Sequence, residues 1–294
     1  MYSFKNNKVI IEELLTIRLF EAKLLELFDN GQINGTTHTC IGQEEVPVSV
    51  MSLLKEEDYI FSNHRGHGHY ISRFNDLEGL FAEIMGKEGA VCNGVGGSQH
   101  IKRGNYFSTG IQGESIPVAV GVAIDLKRKK NNNLAIAFIG DGTWGEGAVY
   151  EALNMASLYS VPVVIICENN GISQSTPSIN NLSSTIKNRA NAFGINYIHF
   201  EEGATVNQIR ERIDPAFNKV RQNSEPLIIE IETKRLSSHS KGDDTRSDYE
   251  IQNLINKDWY EILKLNEKEA LFEMENIFSE KINSIIFKLQ NSSF

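Results

Sequence analysis

The residue pattern with the most direct chemical meaning is a pair of oxygen ligands, Asp141 and Asn170. Each follows an apolar run, Asp141 within Gly-Asp-Gly and Asn170 within Asn-Asn-Gly. A carboxylate and an amide oxygen suit a hard octahedral cation such as Mg²⁺, whose other ligands are commonly phosphate oxygens or a backbone carbonyl. The pair therefore predicts a site for a divalent cation and a phosphorylated ligand.

The segment from residue 64 to 69 gives a second chemical signal, because an arginine and three histidines are separated there only by glycines. Glycines let a ligand approach the backbone closely, and Arg65 offers a planar fork to phosphate oxygens. Zinc binding is the rival interpretation, but no cysteine or carboxylate nearby completes a ligand set, so anion binding is favoured. For His67 and His69 individually, a turn-capping role is an open alternative.

Glycine-dense segments narrow the type of phosphate ligand. The two oxygen ligands predicted to bind a cation, together with Arg65, point to a diphosphate. The Lys-Ser/Thr pair of a P-loop is missing, however. Residues 94–97, GVGG, follow a predicted helix instead of a strand, which argues against a dinucleotide-binding turn. The loop Gly110–Gly113 enters a predicted helix, and its backbone groups could contact the edge of a heteroaromatic ring or serve packing alone.

A strand-helix-strand unit must position the two oxygen ligands. The runs Leu134–Ile139 and Val161–Cys167 predict buried strands, and residues 146–159 carry apolar side chains at helical spacing. A right-handed crossover makes the strands parallel, so both ligands emerge at the carboxyl edge of the sheet. Further strands at 196–200 and 226–233, with a helix at 205–222, predict an α/β fold with a mostly parallel sheet and helices on both faces.

The ends of the chain are predicted to be helical. We expect an N-terminal helix at about 8–30 and C-terminal helices at about 256–290, with inward-facing Ile262, Leu263, Ile277 and Ile285. His239 lies in a polar loop after the last strand, at the same sheet edge as the oxygen ligands. Since no composition shift divides the chain, we expect a single domain over residues 1–294.

Composition excludes several classes of function. A net charge of −9 argues against a nucleic-acid partner, because phosphate contacts require a basic face. Three widely spaced cysteines without CxxC patterning favour a reducing cytoplasm. No apolar window approaches the roughly 18 residues that a membrane span requires. We therefore expect a cytoplasmic protein that binds neither nucleic acid nor membrane.

An ordered series of segments resembles one known family. HTCIGQEEVPV, HRGHGH, GVGGSQH, GIQGESIPVAVG, the Gly-Asp-Gly to Asn-Asn block and RLSSHSKGDD follow one another as in the alpha subunit of two-subunit, thiamine-diphosphate-dependent 2-oxoacid dehydrogenases. The resemblance leaves only the ends of the chain outside, and HRGHGH is most similar to the acetoin-type bacterial enzymes. It implies the thiamine-diphosphate-binding fold, with thiamine diphosphate and Mg²⁺ as cofactors.

The resemblance also implies roles for individual residues. The implied Mg²⁺ ligands are Asp141, the side chain of Asn170 and the carbonyl of Ile172. The implied cofactor contacts are His64, Arg65, Gly142, Thr143 and His239 around the diphosphate, and Gly110 and Gln112 around the aminopyrimidine. His38 and His239 match catalytic histidines. Three positions depart from the usual pattern: His64 for Tyr, Gln112 for Val and Ser238 for Gly.

The implied reaction is decarboxylation of a small 2-oxoacid, or cleavage of an acyloin such as acetoin, with transfer of the acyl unit to a lipoyl carrier. In this family the glutamate that activates the aminopyrimidine lies on a separate beta subunit. We therefore expect an α2β2 heterotetramer with the catalytic pocket at the α/β interface, and a lipoyl acyltransferase as a further partner. Two alternatives are a carboligase that joins the same unit to an aldehyde or ketone and a non-enzymatic scaffold protein. The scaffold is disfavoured, because every cofactor position is chemically competent.

Overall fold

The computed structural model describes residues 2–33, 35–240, 242 and 244–292, and their packing forms two compact units. A helical unit comprises Met1–Ser52, Arg65–Ile101 and Lys234–Phe294, and a sheet unit comprises Leu53–His64 and Lys102–Thr233. That the two units belong to a single domain over residues 1–294 stays a prediction.

The elements have the following bounds. The strands are β1 Tyr59–Ser62, β2 Lys102–Arg103, β3 Tyr106–Ser108, β4 Ala135–Gly140, β5 Val163–Asn169, β6 Ile172–Ser173, β7 Thr176–Pro177, β8 Asn196–Phe200 and β9 Leu227–Glu232. The α-helices are α1 Phe4–Asp29, α2 Glu45–Met51, α3 His67–Phe74, α4 Leu77–Met85, α5 Ser115–Lys129, α6 Gly147–Tyr159, α7 Ile186–Ala192, α8 Val206–Asn223, α9 Asp248–Ile255, α10 Trp259–Asn266 and α11 Lys268–Gln290.

The main sheet has the order β2-β3-β1-β4-β5-β9-β8, and all neighbours pair in parallel except β2 with β3. The connections through α5, α6 and α7 cross the sheet in one direction, and the connection through α8 crosses in the opposite direction. Right-handed crossovers therefore place α8 on the other face. The prediction of an α/β fold with a mostly parallel sheet and helices on both faces is confirmed.

The core of the sheet unit explains why the central strands read as continuous apolar runs. Ala137 in β4 and Ile165 in β5 are register partners, and both pack in one cluster with Val149 and Leu153 of α6. The intervening residues of β4, such as Phe138, are also fully buried. Because both faces are covered, neither strand alternates polar with apolar residues. This packing rigidly supports the strand ends that carry the predicted ligands.

A buried ionic cluster joins the ends of the chain within the helical unit. Arg18 of α1 pairs with Glu44 at 2.5 Å and with Asp258 at 2.9 Å, and its guanidinium lies 5.0 Å from the ring centre of Trp259. Buried charges of this kind require partners on every side, because an unpaired charge in the interior is costly. The cluster therefore fixes the first helix against the start of α10.

The terminal helices differ from the predictions in two details. The N-terminal helix starts at Phe4 instead of residue 8, and C-terminal helical structure begins at Asp248 instead of 256. The prediction that Ile277 faces inward is wrong, because this side chain is 63% exposed. The stripe that α11 buries includes Leu271, Ile282 and Ile286, whose spacing leaves Ile277 on the outer face.

A search of the described residues finds no helix with the length and apolar character needed to cross a membrane.

Candidate active site

The carboxyl ends of four neighbouring strands carry the predicted ligands of the sheet unit. Strands β3, β1, β4 and β5 lie side by side in this order and run parallel. His64 follows β1, Gly110 and Gln112 follow β3, Asp141 follows β4, and Asn170 follows β5. The predicted strand-helix-strand unit is confirmed, and these residues share one edge of the sheet, where open α/β sheets bind ligands.

Asp141 and Asn170 have different surroundings at this edge. Asp141 begins a short 3₁₀ helix, is 2% exposed, and accepts a hydrogen bond from the hydroxyl of Ser178. The Asn170 side chain closes a tight turn, since its Oδ1 accepts from the Ile172 N–H at 3.2 Å. Each side chain thus has a defined orientation and offers oxygen atoms, the atom type that Mg²⁺ prefers.

The Ile172 carbonyl is directed by the hairpin formed by β6 and β7. Ile172 faces Pro177, and the adjacent Ser178 N–H donates to the Gly171 carbonyl at 2.9 Å. Hydrogen-bonded and non-hydrogen-bonded pairs alternate in antiparallel strands, so Ile172 and Pro177 form a non-hydrogen-bonded pair. The Ile172 carbonyl therefore points away from β7, and Pro177 suits its position because it has no N–H to donate.

The approach of the hairpin to Gly142 fixes the spacing between two ligand segments. A Cβ built on Gly142 would lie 2.1 Å from the Ser173 Oγ and 2.7 Å from its Cβ. Only glycine therefore allows the turn after β4 to lie against the residue that follows Ile172. Carboxylate, amide and carbonyl oxygens on two closely packed segments are a donor set that fits Mg²⁺ with a diphosphate.

Gln112 connects the turn after β3 to both neighbouring strand ends. Its Oε1 accepts from the Thr143 hydroxyl at 2.7 Å, and its Nε2 lies 2.8 Å from His64 Nδ1. Thr143 is 1% exposed, so the bond is shielded from water. A valine at this position would make neither contact, so the Gln112 side chain couples His64 to Thr143.

Arg65 organises a second group of predicted residues within the helical unit. Its Nη1 donates to the Thr39 carbonyl at 2.7 Å, and its Nη2 contacts the carbonyl and the Nδ1 of His239 at 3.1 and 3.0 Å. His38 and His239 meet edge to face with ring centres 4.6 Å apart. The two histidines predicted to be catalytic are thus neighbours, held by an arginine that is only 5% exposed.

Three histidines predicted to be site residues share one protonation pattern. In each case the group that faces the ring Nδ1 can only donate a hydrogen bond. Guanidinium and amide nitrogens carry hydrogens and accept none, so the facing ring nitrogen must be the acceptor. The pairs are Gln112 with His64 at 2.8 Å, Gln99 with His38 at 3.3 Å, and Arg65 with His239 at 3.0 Å. Each neutral ring therefore carries its proton on Nε2 and presents an N–H donor. An N–H donor at Nε2 suits hydrogen bonding to an anion.

The loop that carries His239 is anchored at its base. Arg246 donates to the carbonyls of Arg235 and Ser237 at 2.6 and 3.0 Å, and its guanidinium forms a two-point ion pair with Asp244 at 2.9 and 2.6 Å. The hydrogen bond from Arg246 lowers the pKa of Asp244 to about 2. The ion pair therefore persists throughout the neutral and mildly acidic range.

Cys167 lies in β5 but takes no part in this chemistry. Its thiol is fully buried and accepts a hydrogen bond from the Trp144 indole at 3.3 Å. Burial, together with the neighbouring charge of Asp141, raises its pKa well above the usual value. A thiol that stays protonated is neither a nucleophile nor a metal ligand, so Cys167 serves the core.

Several residues that contact the candidate site carry no signal in the sequence pattern. Gln99 and Ser178 contact His38 and Asp141 from loops that follow no periodicity, although Gln99 lies in the quoted segment GVGGSQH. Asn63 also donates to Glu168 at 3.0 Å and so ties the end of β1 to β5. His67 is wholly buried against Glu21, which supports the alternative of a structural role for this histidine.

Comparison with known proteins identifies the family. The Dehydrogenase E1 component family matches residues 12–285. The chain is 33% identical over 295 residues to the alpha subunit of acetoin:2,6-dichlorophenolindophenol oxidoreductase from Bacillus subtilis (strain 168), a match that covers 96% of this chain and 88% of that protein. It is 34% identical over 260 residues to the pyruvate dehydrogenase E1 component subunit alpha from Rhizobium meliloti (strain 1021), covering 86% and 74%. The chain belongs to the dehydrogenase E1 component family, as an alpha subunit of a thiamine-diphosphate-dependent 2-oxoacid dehydrogenase.

Proposed function

We propose that this chain binds thiamine diphosphate with Mg²⁺ and acts, together with a beta subunit, in the cleavage of a small 2-oxoacid or acyloin. The observation that carries the proposal is the row of oxygen and nitrogen ligands at the carboxyl ends of β3, β1, β4 and β5. Asp141, Asn170 and the Ile172 carbonyl would hold Mg²⁺, and Gly142 and Thr143 would contact the diphosphate. When bound, thiamine diphosphate supplies the carbanion that adds to the substrate carbonyl.

The histidines and Arg65 would act as donors to negative charge. His64 and His239 are neutral rings whose Nε2–H can donate to phosphate oxygens without first taking up a proton. Arg65 brings a fixed positive charge that stays protonated at any physiological pH. His38, beside His239, would hold or transfer a proton at its Nε2 during the acyl-transfer step. Gly110 and Gln112 would hold the aminopyrimidine ring.

A beta subunit would complete the active site. The relatives are named as alpha subunits, one of an acetoin oxidoreductase and one of pyruvate dehydrogenase. From the resemblance we expect the activating glutamate on the partner, and we propose an α2β2 heterotetramer in the cytoplasm. A lipoyl acyltransferase would then accept the acyl unit.

The test uses the purified chain alone and the chain co-expressed with its beta-type partner. We expect Mg²⁺-dependent thiamine diphosphate binding by calorimetry, and substrate-dependent reduction of 2,6-dichlorophenolindophenol only when the partner is present. Full activity of the chain alone would refute the shared site. Absence of Mg²⁺-dependent binding in the complex would refute the cofactor assignment and favour a scaffold protein.

The acyl acceptor separates the leading function from a carboligase. Gln112 lies beside the predicted aminopyrimidine site, at a position where the resemblance implies an apolar residue. Its polar contacts with His64 and Thr143 favour keeping the carboligase as a second candidate. The complex is incubated with pyruvate or acetoin and either a lipoyl domain or an aldehyde. Reductive acylation of the lipoyl domain supports the dehydrogenase, whereas acyloin formation without lipoyl acylation supports the carboligase.

A further inference from the structure

We propose that Glu21 and His67 are positioning residues for His38, and that they act through two separate arms of hydrogen bonds. The inference rests on the proposed role of His38 at the active site. All of the residues concerned lie in the helical unit. Neither Glu21 nor His67 is exposed, so the pair acts on His38 only through the groups it holds.

The first arm fixes the backbone beyond His38. The Glu21 carboxylate, on α1, accepts from the Cys40 N–H at 2.9 Å and from its thiol at 3.1 Å. Cys40 lies two residues after His38, and the intervening Thr39 offers its carbonyl to Arg65 at 2.7 Å. The carboxylate is buried, so loss of Glu21 removes this acceptor from the Cys40 N–H at a site where water does not readily replace it.

The second arm runs through His67. Its Nδ1 lies 3.1 and 3.0 Å from the two oxygens of Glu21, and its Nε2 lies 2.8 Å from the Ser98 hydroxyl. Carboxylate oxygens accept hydrogen bonds, so His67 Nδ1 donates to Glu21, and the Ser98 hydroxyl can donate to or accept from Nε2. The contacts at both ring nitrogens fix the orientation of the His67 ring between Glu21 and Ser98.

Ser98 immediately precedes Gln99 in the chain, so the bond that holds Ser98 also restricts the position of Gln99. The Gln99 amide nitrogen donates to the Thr36 carbonyl at 3.2 Å and to His38 Nδ1 at 3.3 Å. As argued above, this donor places the His38 proton on Nε2. A shift of Gln99 would remove the donor and let the His38 ring rotate or exchange tautomers.

The rest of the loop is anchored independently, so a substitution at Ser98 can remove one interaction without releasing the loop. Glu83 of α4 accepts from four backbone N–H groups of this loop, at Cys92, Gly94, Gly96 and Gly97. Removal of the Ser98 hydroxyl leaves these bonds in place. We therefore expect Ser98→Ala to disturb Gln99 without unfolding the loop.

The test is a double-mutant cycle between Ser98→Ala and His38→Ala in the reconstituted complex. We expect Ser98→Ala to lower kcat about tenfold, in keeping with the sensitivity of catalysis to small misplacements, while KM changes less than about twofold. In the His38→Ala background, Ser98→Ala should have no further effect. Glu21→Gln should follow the same pattern. Ser49→Ala is the matched control, because its buried hydroxyl donates to the Glu45 carbonyl within the same helix.

A second measurement does not depend on activity. In ¹⁵N-histidine spectra of the full chain, His38 should show a single Nε2–H tautomer, and Ser98→Ala should give a mixture. An equal loss of kcat in both backgrounds, or an unchanged His38 tautomer, would overturn the proposal. If His38→Ala alone keeps the wild-type kcat, the proposed role of His38 is refuted, and that outcome is distinct from a failure of the positioning arms.

Discussion

At the residue scale, the predicted site residues are hydrogen-bond donors and oxygen ligands whose orientation is set by neighbours. His64 is held by Gln112, which in turn accepts from Thr143. Gly142 is required by the approach of Ser173. These contacts make individual substitutions informative, because each removes one defined interaction within the sheet unit.

Gln112→Val replaces the amide with an apolar side chain and tests the coupling of His64. His64 Nδ1 would lose its donor and Thr143 its acceptor, so the ring would no longer be held as an Nε2–H donor. We expect the Kd for thiamine diphosphate, measured by calorimetry in the complex, to rise about tenfold. Asn105→Ala, which removes an exposed bond to the Glu57 carbonyl, is the control. An unchanged Kd would show that His64 does not depend on Gln112.

Gly142→Ala tests the spacing between the turn after β4 and the hairpin. The added Cβ would collide with Ser173, so the hairpin that carries Ile172 must shift. We expect at least a tenfold loss of Mg²⁺-dependent cofactor affinity in a chain that still folds. The double variant Gly142→Ala with Ser173→Gly should recover part of that affinity.

Gly147→Ala is the matched control for this substitution. A Cβ at Gly147 meets no atom within 4 Å among the described residues, so the change should leave affinity unaltered. Failure of Ser173→Gly to restore any binding to Gly142→Ala would contradict the steric explanation.

At the element scale, the sheet positions the predicted ligands and Arg246 secures the base of the His239 loop. Arg246 joins the two ends of this loop through the Arg235 and Ser237 carbonyls and the Asp244 carboxylate. Part of the loop lies outside the described residues, but both anchored ends are within them. Loss of the Arg246 side chain should therefore loosen the base of this loop.

Arg246→Gln should open the base of the loop and raise the rate of proteolytic cleavage there several-fold. Because the pKa of Asp244 is lowered to about 2, the ion pair contributes stability above the ordinary aspartate pKa and loses it as the pH falls toward 2. The ratio of the cleavage rates of Arg246→Gln and wild type, which cancels the protease's own pH dependence, should therefore be constant between pH 5 and pH 8. Arg128→Gln removes an exposed pair with Asp125 on α5 and should leave cleavage unchanged. Equal cleavage of wild type and Arg246→Gln would contradict the anchoring role.

The elements differ in how far the sequence could predict them. Strands β4 and β5 with helix α6 were predictable, because burial on both faces gives continuous apolar runs and the helix has its own period. The positions of Asp141 and Asn170 at the ends of these strands followed from the same apolar runs. Gln99 and Ser178 were not predictable, because long-range loop contacts leave no periodic signal. Ile277 was misplaced because its own apolarity does not show which face of α11 packs.

At the scale of the whole molecule, the ionic cluster that joins the chain ends also makes stability depend on pH. Glu45 lies beside the buried Arg18, Glu44 and Asp258 group at the start of α2. Burial, and then the charges of Glu44 and Asp258, raises the pKa of Glu45 to about 8. Glu45 is therefore protonated at neutral pH, and its ionisation destabilises the folded chain.

Glu45→Gln should remove this pH dependence. A raised pKa gives full stability below the ordinary glutamate pKa, and this stability is lost as the pH rises through about 8. Since Glu45 is half-buried, we expect the wild type to lose only about 1–2 kcal/mol between pH 5 and pH 9. Urea unfolding at both pH values checks this, with the exposed Glu201→Gln as control. Parallel pH curves for wild type and Glu45→Gln would refute it.

The shared tautomer of His38, His64 and His239 has a consequence for proton balance. Because each ring already presents an N–H, an anionic cofactor can be bound without uptake of protons by these histidines. The heat of thiamine diphosphate binding should then be the same in buffers with different ionisation enthalpies at pH 7.5. Cofactor loading would then be insensitive to small changes in pH near neutrality.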